Sequence, residues 1–525
     1  MTYNLADLFE RVARHVPERE AVISGDRRVS YRELDARAER VAGALAAEGV
    51  GPGDRVALCL RNDIEYLELM LGAFKLAAVP VNVNYRYQPT ELEYVLSDSG
   101  ARVIVHEDEL GTAIERLRPR LAELTRAVAK GPDYDEWTRL APSPPDTRRS
   151  SDDRYVLYTG GTTGDPKGVV WRHEDIFFAA MGGGRRGGDA ITHPDQIVER
   201  LADPPNRVLP ASPLMHGTAH WFAFLTLFAG STVVLSPDQA FDAARLLDLA
   251  DAEQVSYLVV VGDAFAGPLA DAIAAEPSRW DLSHLTVVLS GGATLSVPTR
   301  RTLLDHLPWI IVVDSYGTSE TGGQGSFVHT AGMRPGDGPP RFDVYDHTTV
   351  LGDALRPIPP GSGVVGRVAR HGHIPIGYHN DPLRTAATFP TVDGFRWALT
   401  GDQATLAADG SLVLLGRGSS TINSGGEKVH PEEIEAVLRE HPAVHDAIVV
   451  GVPDPRWGER VAAVVATRPS TPTTAADLAD HCRARLADFK TPRSMALVER
   501  VRRSESGKPD YRWAHEVLSD QVDVV

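Results

Sequence analysis

The chain has 525 residues, 42% of them hydrophobic and 24% charged, which is enough to bury a large core and to form more than one domain. Its 54 Lys and Arg against 71 Asp and Glu leave a formal net charge of −17, which argues against a general nucleic-acid binder, whose affinity needs a basic face. Two cysteines without a CxxC pair or zinc-ligand spacing, and no apolar run of the ~18–20 residues a membrane span needs, point to a cytoplasmic protein with no membrane span.

From the N-terminus, residues 4–16 carry helical spacing (Leu5, Leu8, Phe9, Val12) and open amphipathically rather than as a signal peptide. A second helix is expected over 30–48, where Ser30 and Glu33 form a capping-box pattern. Short apolar runs at 55–60, 79–83 and 101–106 read as strands, and 64–75 reads as a helix between them. Residues 131–152, with Pro132, Pro142, Pro144 and Pro145, read as a surface connection or subdomain boundary. Residues 181–207 and 331–343 read as long loops. The runs 257–261, 286–289 and 309–313 read as buried strands. After Gly416 the pattern changes: a helix at 431–439, strands at 447–452 and 461–467, and a helix at 475–486 make a small α+β unit. The fold class is α/β, with a large N-terminal part and a smaller C-terminal domain.

The most informative segment is YTGGTTGDPKGV, residues 158–169. Its glycines let backbone N–H groups approach phosphate oxygens, its threonines donate further hydrogen bonds, and Lys167 adds a positive charge. It is not a Walker A loop, because Pro166 stands before the lysine and no Ser or Thr follows it. Gly182, Gly184 and Gly187 match the dinucleotide spacing formally but follow no strand, and no dinucleotide site is expected there. No Gly-x-Ser-x-Gly elbow suggests a serine hydrolase.

The 158–169 segment resembles the signature loop of the adenylate-forming superfamily, which includes acyl-CoA synthetases, peptide-synthetase adenylation domains and luciferases. Further motifs follow in that family's order as far as Lys508, so the resemblance spans the chain. YTGGTTGDPKGVVWRHEDIF and GRGSSTINSGGEKVHPEEIE are most similar to actinobacterial acyl-CoA synthetases of the fatty-acid and steroid-side-chain type. The resemblance implies a multi-subdomain adenylating domain over 1–416, a hinge at 417–421 and a mobile C-terminal domain over 422–525.

It also implies roles for individual residues. Thr159, Gly160, Gly161, Thr162, Thr163, Gly164 and Lys167 would hold the triphosphate of ATP, with Thr163 counted as catalytic. Gly291, Gly292 and Ala293, in SGGATL, would line the adenine pocket and acyl tunnel. In DSYGTSETG, Asp314, Tyr316, Gly317 and Ser319 would contact the nucleotide, Tyr316 by stacking on adenine, and Glu320 would hold Mg²⁺. Ser319 stands where the family usually has Thr. Asp402 would bind the ribose hydroxyls and Arg417 the ribose or a phosphate. His216 would shape or gate the acid site, beside Trp221, Phe222 and Phe224. Lys508, in SESGK, would stabilise charge at the α-phosphate, and Gly425 and Gly426 would admit the pantetheine arm of coenzyme A. Where relatives carry Asp or Lys at the hinge, this chain has Ser420. Trp457 and Glu459 lie where relatives contact coenzyme A.

The implied activity is that of an acid–thiol ligase. It would make an acyl-adenylate from a carboxylic acid and ATP, then pass the acyl group to coenzyme A. A carrier protein, an amine or water as acceptor, nitrite as the acid, and a homodimer as the assembly are the other readings the motifs leave open.

Overall fold

The computed structural model describes residues 2–159, 166–184, 189–238, 240–293, 295–333, 341–417, 422–424, 427–454, 458–469, 471–486, 488–503, 507, 509–520 and 523–524. It is a mixed α/β protein with three principal sheets.

The first sheet has seven strands, in the order Gly377–Tyr378, Lys167–Arg172, Arg154–Thr159, Val79–Asn82, Arg55–Cys59, Ala101–His106, Arg126–Ala129. Its members from Arg154–Thr159 to Arg126–Ala129 run parallel, and the two at the other edge are antiparallel. The second sheet has thirteen strands. Its parallel half contains Arg207–Pro210, Tyr257–Val260, Val287–Gly291 and Ile311–Thr318. At Ile311–Thr318 the sheet turns antiparallel through Gly322–Thr330 and continues to Ala398–Leu406 and Leu412–Arg417. The parallel strands are near-continuous apolar runs, as strands covered on both faces must be.

Helix Ile64–Lys75 is buried along all twelve residues. A helix buried on every face belongs in a core, and the charges it carries are paired, Glu65 with Arg27 and Glu68 with Arg37. Lys75 Nζ lies 2.8 Å from both Glu10 and Asp35, and Glu68 accepts from Tyr134 Oη at 2.6 Å. The helix Tyr31–Ala47 is closed by the expected Ser30–Glu33 capping box. Both cysteines, Cys59 and Cys482, are free and buried.

Among the described residues, the six-stranded third sheet takes every strand from Ile422 onward, and neither of the other two sheets has a strand beyond Arg417. Helices Pro431–Arg439 and Ala475–Arg483 pack on one of its faces and Tyr511–Asp520 on the other. The hinge residues 418–421 lie outside the described residues.

Three sequence expectations need correction. The proline-rich connection at 131–152 contains a helix, Pro132–Arg139, because Pro132 sits at its first position, where a missing N–H costs nothing. The run expected to begin at Trp309 starts at Ile311 and continues to Thr318, and Trp309 itself is 51% exposed. The loop at 181–207 contains a 3₁₀ turn, Pro194–Arg200, packed against the first helix.

Two fully buried histidines are held neutral. The ring of His173 accepts from Leu5 N–H at 3.2 Å and reaches the Arg154 carbonyl at 3.2 Å with its other nitrogen. Burial lowers its pKa to about 3, and lowers that of His220 to about 4, from an ordinary 6.5. Below 6.5 the unfolded chain therefore takes up protons that the folded chain refuses. The stabilisation is complete above 6.5 and is lost progressively as pH falls towards the folded values. The urea midpoint is expected to drop between pH 7 and pH 5, before carboxylates titrate; an unchanged midpoint over that interval would contradict buried neutral rings.

Candidate active site

The glycine-rich segment joins two paired strands. Thr159 and Lys167 face each other across the antiparallel ladder, so both ends of the connection are fixed by sheet hydrogen bonds. Gly160, Gly161, Thr162, Thr163 and Gly164 lie outside the described residues. The incoming strand is anchored by Asn82, which the sequence reading missed. Its amide donates to the Tyr158 carbonyl at 2.8 Å and to the Met215 carbonyl at 2.7 Å, and its oxygen accepts from Tyr158 N–H at 2.6 Å. Tyr158 Oη donates to Asp98 at 2.6 Å.

Through Asn82 the same strand is tied to the segment carrying His216. This segment is held from its other end by Asn62, which donates to the Ser212 carbonyl at 3.1 Å and accepts from Leu214 N–H at 2.6 Å. His216 is the N-cap of helix Gly217–Phe228. Behind it runs a buried chain of directed bonds. Trp221 Nε1 donates to Tyr155 Oη at 3.1 Å, Tyr155 Oη donates to His220 Nε2, and His220 Nδ1 donates to the Leu214 carbonyl at 2.8 Å. Trp221 is thereby an anchor of the wall, and Phe224 is core against Phe74 and Phe228.

Gly291 and Gly292 face the same helix. A side chain on Gly291 would come within 3.0 Å of Thr218, and Gly292 adopts φ +85°, a conformation glycine accepts freely. Ser290 Oγ closes this turn by donating to the Ala293 carbonyl at 2.7 Å and accepting from Gly262 N–H at 2.9 Å.

The hairpin after Ile311–Thr318 brings several expected residues together. Tyr316 Oη donates to Asp402 at 2.7 Å within the protein, so the aromatic ring and the carboxylate expected on the adenosine share one hydrogen bond. Gly317 sits at a bulge, where a Cβ would collide with the Gly322 carbonyl. The Ser319 carbonyl accepts from Trp171 Nε1 at 3.1 Å, which docks the hairpin on the strand leaving the glycine-rich segment. Glu320 accepts from Tyr378 Oη at 2.8 Å, and Lys167 Nζ lies 6.0 Å from the centre of the Tyr378 ring. Burial and the neighbouring Glu320 push the Tyr378 phenol well above its ordinary value, so it remains a donor to that carboxylate. Tyr378 was also missed; it belongs to a two-residue edge strand that no periodicity announces.

Asp314 is differently placed. Its buried carboxylate takes Arg300 at 2.7 Å, His329 at 3.0 Å and Leu295 N–H at 3.1 Å, which binds the strand to the helix beside it. Arg417 is paired with Asp402 in strand register. The side chain of Arg417, and all of Gly425, Gly426, Trp457 and Lys508, lie outside the described residues.

Gly507 is described, and its position is informative. It adopts φ +73°, and a Cβ there would lie 3.1 Å from the Val261 carbonyl. Val261 is also the neighbour that a Cβ on Gly292 would meet, at 3.7 Å. The C-terminal tail thus reaches the turn that begins at Ser290. Beside this junction is a cavity of about 700 Å³, bounded by Arg61, Tyr85 and Arg86 on one side and Arg468, Arg500 and Arg502 on the other. The Arg61 and Arg86 guanidinium groups lie 5.2 and 4.8 Å from the centre of the Tyr85 ring.

Among the described residues no three His, Cys, Asp or Glu side chains group as a metal cluster, and no helix is long and apolar enough to cross a membrane. A lone carboxylate such as Glu320 fits Mg²⁺, which binds one or two carboxylates and completes its octahedron with phosphate oxygens and water.

Residues 9–373 match the AMP-binding enzyme family, and residues 433–508 match the AMP-binding enzyme C-terminal domain. The chain is 42% identical to a 3-oxocholest-4-en-26-oate--CoA ligase of Rhodococcus rhodochrous, over 98% of this chain and 96% of that one. It is equally similar, at 42% identity and the same coverage, to a medium/long-chain-fatty-acid--CoA/3-oxocholest-4-en-26-oate--CoA ligase of Mycobacterium tuberculosis. Among solved structures it superposes on the anthranilate CoA ligase AuaEII in complex with anthranoyl-AMP, with a TM-score of 0.85 and 25% identity over 98% of each chain.

Proposed function

The chain belongs to the AMP-binding enzyme family, and from that premise we propose an AMP-forming acyl-CoA synthetase whose acid is a large apolar one, a medium- or long-chain fatty acid or a steroid side-chain acid. The observation that carries this reading is the seat of Gly507 against Val261, beside the turn of Gly291 and Gly292. It sets the residue before Lys508 beside that turn, as a tail lysine serving the adenylation site requires.

In the first half-reaction a carboxylate oxygen of the acid attacks the α-phosphorus of ATP. The bond to the bridging oxygen breaks, and pyrophosphate leaves with its electron pair. Little covalent work falls to the protein, so rate comes from positioning and from charges fixed before the reaction. Asp402, already oriented by Tyr316, offers acceptors to the ribose hydroxyls. Lys167 and the 160–164 segment receive the leaving phosphates, and Lys508 faces the charge developing at the α-phosphate. Mg²⁺ held at Glu320 would offset the negative charge of the pyrophosphate.

In the second half-reaction the C-terminal domain, residues 422–525, turns about 417–421 and brings Gly425 and Gly426 to the adenylate. The thiol of coenzyme A attacks the acyl carbon, AMP leaves, and the thiol proton passes to solvent.

Incubating the protein with ATP, Mg²⁺ and a panel of carboxylic acids tests the reading. Pyrophosphate is expected with fatty or steroid-derived acids, together with an acyl-CoA mass once coenzyme A is added. Pyrophosphate without a thioester would move the acceptor to a carrier protein or an amine. No pyrophosphate with any acid would overturn the assignment.

A further inference from the structure

Gly507 is not held by its own backbone alone. Arg503 Nη1 donates to the Gly507 carbonyl at 3.1 Å, and Arg503 pairs with Pro509 as an isolated antiparallel bridge. The same guanidinium grips Asp446 through two parallel bonds, Nε to Oδ2 at 2.6 Å and Nη2 to Oδ1 at 2.8 Å. Asp446 is fixed in turn. It takes Arg439 Nε at 3.1 Å and Ala447 N–H at 2.8 Å, and Arg439 is tied to Glu435 at 2.9 Å one helical turn back. Glu435, Arg439 and Asp446 sit where helix Pro431–Arg439 meets the start of strand Val444–Asp454. Although burial opposes ionisation of Asp446, Arg439 and Arg503 hold its pKa down at about 2, so the carboxylate is charged throughout the working range.

We propose that Asp446 is a positioning residue for adenylation: through the bidentate Arg503 it fixes the carbonyl of Gly507, the residue before Lys508, where Gly507 meets Val261. This rests on the reading of Lys508 as the adenylation lysine. A bidentate guanidinium with a third donor to spare is needed for the relay, because it must grip both carboxylate oxygens and still reach a carbonyl. An ammonium at that position can satisfy the carboxylate but not the whole geometry. The relay acts on the tail alone. It therefore matters while the tail is in the cleft and not after the C-terminal domain has turned.

The test uses the full-length enzyme with Asp446→Asn and Arg503→Lys and measures the half-reactions separately. For Asp446→Asn, acid-dependent pyrophosphate release is expected to fall up to about 100-fold, the penalty typical of a reacting group displaced by about 1 Å. The KM values for ATP and acid should stay within about twofold, because in the relay Asp446 reaches the reaction only through Arg503 and Gly507, and an effect carried by positioning alone appears in kcat. Thioester formation from supplied acyl-adenylate should be unchanged. Arg503→Lys should give the same split with a smaller loss and serves as the second probe where the Asn variant folds poorly. Equal losses in both half-reactions for Arg503→Lys would reveal a merely structural role and overturn the proposal, as would unchanged pyrophosphate release in both variants. If the parent enzyme forms adenylate and the variants show no split, only the relay fails. If the parent enzyme forms none, the adenylation reading fails and the relay with it.

Discussion

Replacing Lys508 with Ala is expected to lower adenylate formation by about 10²–10³-fold, the range seen when one preorganised donor to a developing charge is lost. The reason is electrostatic. Attack on the α-phosphorus crowds negative charge onto one centre, and an ammonium fixed in a cleft that excludes water stabilises that charge more than mobile solvent does. The effect should be specific to one step, because Gly507 sits on Val261 in this arrangement of the domains and would leave it when the C-terminal domain turns. Thioester formation from supplied acyl-adenylate should persist in the same variant. The check is a pair of single-turnover measurements, pyrophosphate release and acyl-CoA formation; equal losses in both would contradict the two-arrangement scheme.

Glu320→Gln is expected to produce the other large loss, about 10²-fold in pyrophosphate release at fixed Mg²⁺, and to raise the Mg²⁺ concentration needed for half-maximal rate. The amide keeps the shape and a hydrogen bond to Tyr378 but removes the charge that a hard cation seeks. Tyr378→Phe separates the two contributions. It leaves the carboxylate charged and removes only its 2.8 Å donor, so its loss should be well under that of Glu320→Gln and should leave the Mg²⁺ dependence nearly unchanged. A magnesium titration of both variants decides the matter. An unaltered Mg²⁺ requirement in Glu320→Gln would remove this residue from the metal.

Much of the molecule could be read from its residues because the signals were local. Ser30 and Glu33 announced a helix start that is present, and Ile64–Lys75 was read with its true limits. The glycine-rich segment stands out because glycine, threonine and lysine cluster in one run, and its two flanking strands pair across it. What escaped was tertiary. Asn82 sits in a short strand, and nothing in its neighbours says that its amide will join two segments more than fifty residues apart. Tyr378 lies in a strand of two residues, too short to carry a period. The saturation of Asp314 by Arg300 and His329 is equally invisible, since each partner is ordinary alone. Pro132 misled because proline ends helices from within but opens them from the first turn.

Asn82 also limits how this protein can change its taste in substrates. A single planar amide holds both the strand entering the glycine-rich segment, proposed to receive the nucleotide's phosphates, and the segment before His216, proposed to edge the acid's compartment. Mutations that reshape residues 213–217 to admit a different acid will pull on that amide and be felt as altered ATP affinity. Evolution or engineering of new acid preferences along this edge must therefore proceed by paired steps, one for each substrate.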